Sequence, residues 1–239
     1  MRVVFFSLIC FLWCSASLSA QPTSATDLLN KSIAYHDPAN QWEKWSGAFA
    51  VLQETPQKPV STTKIQMNNA TSTFETISEK DGVVVLRKVV GDSCTYQVNG
   101  SVTFSEAQKE KHKLNCERNK LFRNYYTYLY GLPMKLKDPG TIIDPKVRDD
   151  QFQEKKCWSI KVTYEATVGE DIWYFYFAKS NYALVGYRFY HEEDKQDGEY
   201  ILLEQEEEVS GIKMPKVRKW YMNKDDKFLG TDILQKNSK

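Results

Sequence analysis

Chemistry-bearing residues are scarce in this chain of 239 residues. It holds three histidines, His36, His112 and His191, and five cysteines. A zinc site needs tighter Cys/His spacing than the chain offers, so no metal is expected. No Gly-x-Ser-x-Gly elbow, P-loop, dinucleotide fingerprint or His-Glu-x-x-His occurs. The enzymes those motifs mark are set aside, and no cofactor is expected. An excess of one charge is also lacking: 32 Lys and Arg stand against 31 Asp and Glu. That balance argues against nucleic acid or a strongly anionic membrane as the main partner. Internal repeats, low-complexity tracts and linkers rich in Pro, Gly or Ser are absent as well, so nothing divides the chain into separate domains.

The one long apolar run stands at the start. Arg2 precedes Val3 to Trp13, and Ser15-Ala16-Ser17-Leu18-Ser19-Ala20 is small and neutral. A basic start, a short apolar core and a small-residue exit make a secretory signal peptide. The run falls short of the roughly 20 apolar residues a bilayer requires, which speaks against an uncleaved anchor. Cleavage after Ala20 puts Leu18 at −3, and cleavage after Ser19 puts Ser17 there; both stay open. Cys14 follows the bulky Trp13, a poor fit to a lipoprotein processing site. The expectation is a signal peptide over 1–20 and a single β-rich domain over 21–239. The product would be secreted across the inner membrane, periplasmic or outer-membrane associated, with no transmembrane segment in the mature chain.

Cys10 and Cys14 leave with the signal. Cys94, Cys116 and Cys157 remain. An odd count in an oxidising compartment predicts one disulfide and one buried thiol. Cys94 and Cys116 flank a hairpin-plus-helix segment and are the expected pair, worth roughly 3 kcal/mol for a loop of that size. Cys157, at the start of a strand pattern, reads as core. The sequons at Asn30, Asn69 and Asn99 matter only in a eukaryotic secretory pathway.

The patterning is mostly that of strands. A helix opens at Ser24, with Asp27 three residues on, and Asp37-Pro38 ends it. Strands are then predicted over 47–53, 62–67, 71–79 and from Val83, with Asp81-Gly82 as a hairpin turn. Val98-Asn99-Gly100-Ser101-Val102 predicts a second hairpin. Ser105 to Gln108 is a capping box, and a longer helix runs from Glu117 until Gly131 and Pro133 stop it. Residues 134–150 read as a loop. A meander follows over 159–165, 172–177, 184–190, 199–209, 212–221 and 228–234. A two-residue Ser210-Gly211 turn would set Val209 against Ile212 and Glu208 against Lys213. The fold class is therefore mainly β (α+β). It reads as an incomplete antiparallel β-barrel or strongly curved sheet, with an N-terminal helix and a central helical insertion on one side.

The segment Ile172-Trp173-Tyr174-Phe175-Tyr176-Phe177 carries the strongest functional signal. A strand with one face in water alternates polar and apolar residues; this one does not. It fits either a plain aromatic core or a lined apolar groove. The groove candidates are Trp173, Phe175, Phe177, Tyr187 and Phe189, with Tyr125, Tyr128 and Leu129 on the helix as lid or plug. His36 with Asp37 fits a base with its orienter or, more plainly, a helix end before Pro38. His112 and His191 lie in charged runs and read as solvated, as does the run Glu204 to Glu208.

Several segments together resemble an uncharacterised family of secreted proteins from Bacteroidota. They are Ala34-Tyr35-His36-Asp37-Pro38 with Trp42, Cys116-Glu117-Arg118, Asn124 to Gly140, Asp171 to Phe177, Gly198 to Leu203 and Gly211 to Pro215. That resemblance spans nearly all of the mature chain and implies no catalytic residue. The architecture is similar to periplasmic lipoprotein carriers and receptors of the LolA/LolB type, in which an incomplete barrel closed by helices holds acyl chains. The resemblance implies a binding protein for a lipid, acyl chain or other apolar ligand, with an envelope protein as a further partner. A secreted hydrolase using carboxylates or His36 is the alternative, and a protein-interaction module the third.

Overall fold

Ser24 starts the first helix because its hydroxyl accepts from the Asp27 amide at 3.1 Å while its own backbone stays extended. The Asp27 carboxylate accepts from the Thr23 amide, one residue before the cap. The helix, α1, runs Ala25–His36 and buries Ala25, Leu28 and Leu29 along one stripe. Asp37 ends it, with its amide bonded back to the Ile33 carbonyl. These observations come from a computed structural model that describes residues 22–236. The predicted signal segment, with Cys10 and Cys14, lies outside the described residues.

A 3-10 turn (Trp42–Lys44) leads into β1 (Ser46–Glu54), β2 (Ser61–Asn68), β3 (Thr73–Lys80), β4 (Val83–Val90) and β5 (Ser93–Val98). The helical insertion is α2 (Glu106–Lys111) and α3 (Cys116–Gly131), then a 3-10 turn (Met134–Lys137). The second half holds β6 (Thr141–Ile143), β7 (Arg148–Phe152), β8 (Lys155–Tyr164), β9 (Ile172–Ala178), β10 (Leu184–Tyr190), β11 (Glu199–Val209), β12 (Ile212–Met222) and β13 (Phe228–Lys236). The Ser105–Gln108 capping box is present in both directions.

All thirteen strands form one antiparallel sheet in the order β5-β4-β3-β2-β1-β13-β12-β11-β10-β9-β8-β6, with β7 also on β8. Most neighbours are consecutive in sequence. The exceptions are β6 on β8 and β1 on β13, the second of which joins the first strand to the last. Val209 pairs with Ile212 and Glu208 with Lys213, the register a two-residue turn imposes.

Two predictions fail locally. The second hairpin does not form: Asn99-Gly100 turns, but the pairing stops at a single Val98–Ser101 bridge. Val102 beyond it is 72% exposed, with no neighbour to pair against. The predicted loop over 134–150 contains the 3-10 turn, β6 and the start of β7. Pro139, Gly140 and Pro145 hide these strands, which exist because β8 is long enough to pair with both: Thr141 faces Tyr164, and Arg148 faces Ser159.

The sheet is forced to curve. α3 stacks Tyr126 on Phe74 of β3, with ring centroids 6.0 Å apart, and bonds Tyr128 to Tyr164 of β8 at 2.6 Å. β3 and β8 are eight strand spacings apart in the sheet order. In a flat sheet that is about 38 Å at about 4.8 Å per strand, whereas a helix with its side chains is about 10–12 Å across. The inner face therefore wraps α3, and one apolar core takes residues from nearly every strand together with α1 and α3. The edges β5 and β6 do not pair with each other, so the barrel stays open.

Cys94 on edge strand β5 is bonded to Cys116 at the start of α3, with Cα atoms 5.6 Å apart. That disulfide fastens the helix to the sheet edge. Cys157 is fully buried, and burial pushes its thiol pKa up to about 11. It is an inert core residue.

Candidate functional site

Alternation along β9 sorts its aromatic residues onto two faces. Phe175 and Phe177 point inward and are fully buried, and Trp173 packs against the same core. Tyr174 and Tyr176 point outward onto a second, smaller cluster with Phe152 and Tyr200. There the Phe152 ring stacks on Tyr176 at 4.0 Å and lies over Gly186. A Cβ on Gly186 would sit 2.1 Å from that ring, so the absence of a side chain admits the outer layer. The outer face of the strand is apolar because Phe152, at the end of β7, reaches over it to Tyr176 and Tyr200.

The sequence-predicted ligand residues accordingly separate. Phe175, Phe177, Tyr187 and Leu129 fill the core between sheet and helix. Tyr125 faces outward on α3, 43% exposed. Phe189 is half-buried, its ring 4.8 Å from Trp173. Trp173 and Tyr128 reach a groove of about 790 Å³ at one end of the curved sheet. The groove runs between the flank of α3 that carries Arg123, Thr127 and Tyr128 and the end of the sheet that carries Asn68, Thr73, Tyr164 and Trp173.

Its walls are held in place from both sides. Tyr128 meets Trp173 edge-on at 5.7 Å. Trp42 closes one end, fixed by Asn69, whose side-chain amide donates to the Trp42 carbonyl at 2.7 Å. Trp42 lies so close to Gly131 that a Cβ there would be 2.3 Å from the indole; the last residue of α3 is glycine for that approach. Arg123 ties α3 to the β4–β5 turn by donating to the Gly91 carbonyl at 2.6 Å. Lys135 and Asp138 pair at the rim.

The Tyr128–Tyr164 pair is a polar point in this wall. Burial raises the pKa of both phenols, Tyr164 to about 12, so both are neutral at physiological pH. Two phenols carry two protons, and their mutual bond uses one. The second proton is not used by that bond, and both residues line the groove.

His36, His191 and Arg218 do not line the groove. His36 is fully buried: Nδ1 donates to the Lys213 carbonyl at 2.7 Å, and Nε2 accepts from the Leu184 amide at 2.9 Å. Both oxygens of Asp37 accept from backbone amides, Gln41 and Trp42. The pair straps α1 across β10 and β12 and offers no base to a substrate. His191 is exposed and bonded to Asp171 at the groove rim, at 2.7 Å. Arg218 was missed. It is 1% exposed, lies 4.0 Å over the Tyr130 ring, and donates to the Pro215 and Leu129 carbonyls at 3.0 Å each. The signal was available in the alternation of β12, where Arg218 shares the inward phase of Ile212 and Met214.

The match to a family model covers residues 2–237. The chain belongs to DUF6503, a family of unknown function. No curated protein matches it. Among solved structures, this DUF6503 chain is similar to a LolA superfamily protein from Nitrosomonas europaea, 10% identical over 90% of this chain and 94% of that one, with a TM-score of 0.49. It is similar to an outer membrane lipoprotein-sorting protein domain from Vibrio parahaemolyticus, 8% identical over 89% of each chain, TM-score 0.48. It is also similar to a DUF1329 family protein from Desulfovibrio piger, 9% identical over 91% and 94%, TM-score 0.47. Among the described residues, no helix of the DUF6503 chain is long and apolar enough to cross a membrane.

Proposed function

We propose that this protein binds an apolar or amphiphilic ligand, such as a lipid acyl chain, in the groove between α3 and the open end of the sheet. The observation that carries the reading is the edge-on pair of Trp173 and Tyr128 in the wall of a cavity of about 790 Å³. That volume lies within the range of small-molecule sites, which combine apolar walls with a few fixed polar groups. Trp42, Tyr128, Tyr164 and Trp173 are the apolar wall. The spare phenolic proton of the Tyr pair would meet an ester or hydroxyl oxygen of the ligand. The deeper aromatics Phe175, Phe177 and Tyr187 would support the wall from behind rather than touch the ligand.

We place this activity outside the cytoplasm, in the periplasm or at the outer membrane. The Cys94–Cys116 disulfide supports an oxidising compartment, as does the signal-like start of the sequence. Residues 21–239 act in this reading as one carrier domain.

The test is native mass spectrometry of protein purified gently from its own host, followed by solvent extraction. A co-purifying apolar molecule is expected, and a fluorescent acyl probe should bind the stripped protein. Trp173→Ala should weaken that probe about tenfold, the loss of one large buried contact. A clean apo mass together with no probe binding sinks the reading.

A further inference from the structure

α3 separates two cavities. The aromatic groove follows the flank with Thr127 and Tyr128. On the other flank, with Arg118, Phe122 and Tyr126, a second cleft of about 300 Å³ opens toward β3, β4 and the end of α2. Its rim gathers Lys80, Arg87, Lys111, Lys113 and Arg118. Among the described residues no carboxylate lines it. A chain with balanced total charge has concentrated one sign here.

The cations are also left without counterions. The same helical insertion pairs Lys109 with Glu106 and Lys120 with Glu117. Lys80, Lys111, Lys113 and Arg118 have no such partner among the described residues. Arg87 is half-buried, and its guanidinium donates only to neutral oxygens, Ser78 Oγ at 3.1 Å and the His112 carbonyl at 2.9 Å. Burial and the neighbouring Arg118 both push its pKa down from the ordinary value. Like charges held together at a half-buried site are relieved when an anion enters.

The floor is apolar. Val85 and Tyr126 are buried, and Phe122 is 37% exposed beneath the Arg118 guanidinium, 5.1 Å from its ring. Five cations exceed what one carboxylate balances. A phosphate monoester carries close to two negative charges and matches the guanidinium fork.

We propose that this cleft is a phosphate site with an apolar floor: Lys113 and Arg118 at the rim hold the phosphate, and Phe122 and Val85 take up an alkyl chain attached to it. It is separate from the aromatic groove and does not depend on what that groove holds. The phosphate has two possible sources, an amphiphile's headgroup or the free ion.

Calorimetric titration tests this at low ionic strength and below micelle-forming concentrations. The probes are dodecyl phosphate, inorganic phosphate and the neutral dodecyl maltoside. Dodecyl phosphate is expected to bind, and the neutral detergent to bind at least about tenfold more weakly, the worth of one charge-assisted contact. The double variant Lys113→Gln/Arg118→Gln should lose about tenfold or more for dodecyl phosphate. Both side chains are exposed, so the variant should fold, which circular dichroism checks. Amide shifts should appear at Val85 and not at Trp173, which distinguishes this cleft from the groove. Inorganic phosphate that competes but binds more weakly identifies the headgroup as the source; equal affinity identifies the free ion. Either supports the site. Dodecyl phosphate that binds no better than the maltoside, or equally well to the double variant, overturns it.

Discussion

At the residue scale, the histidines act in opposite senses. His36 is held neutral, because Nε2 must accept from the Leu184 amide and burial disfavours the charged ring. Its pKa therefore lies below the ordinary 6.5. The unfolded chain binds a proton near that value while the folded chain does not, so this contribution is complete above it and declines as pH falls. The slope reaches about 1.4 kcal/mol per pH unit. His191 runs the other way: its bond to Asp171 raises its pKa, so its contribution is present at low pH and is lost as pH rises through the folded value. Denaturant unfolding near neutrality and at about pH 5.5 separates the two. Wild type should lose more stability on acidification than His36→Gln. An equal loss in both would remove His36 as the cause. The sequence presented His36-Asp37 as a possible base and orienter. Only the partners, 177 and 148 residues distant, turn it into a strap.

At the element scale, α3 is the piece on which the sites depend. It separates the two cavities, and its tethers are the disulfide at its start, the Arg123–Gly91 bond and the Arg218–Leu129 bond near its end. Cys94→Ala/Cys116→Ala should lower stability by about 3 kcal/mol. Limited proteolysis should then cut first around Lys111 to Arg118, where α2 and α3 lose their tie to β5. A variant as stable and as resistant as wild type would show that the remaining tethers suffice. The pairing itself was legible from cysteine count and position. So were the helix ends, which rest on local chemistry at Ser24, Ser105 and Gly131. The short strands β6 and β7 were not legible. Pro139, Gly140 and Pro145 flank them, their own residues show no apolar alternation, and their partner supplies the ladder.

At the scale of the whole molecule, the pairing of β1 with β13 decides the architecture. It joins a first meander, β1 to β5, to a second, β8 to β13, and makes one core of both. Leu234 of β13 is fully buried opposite Val51 of β1. Leu234→Ala should cost about 2–5 kcal/mol, and both halves should still unfold together. Tryptophan fluorescence and far-ultraviolet circular dichroism followed in denaturant should give coincident transitions. Two separated transitions would mean that the meanders fold independently. The amino-acid sequence alone determined most of the strand and helix content, most turns, the register at Ser210-Gly211, the disulfide and the apolar character of β9, because alternation, capping and turn chemistry act over a few residues. Only the tertiary structure decided which aromatics fill the core and which line a groove, why Arg218 is buried, and that five scattered cations meet at one cleft. Those outcomes depend on how a sheet curves around α3, and curvature follows from contacts between residues far apart in the chain.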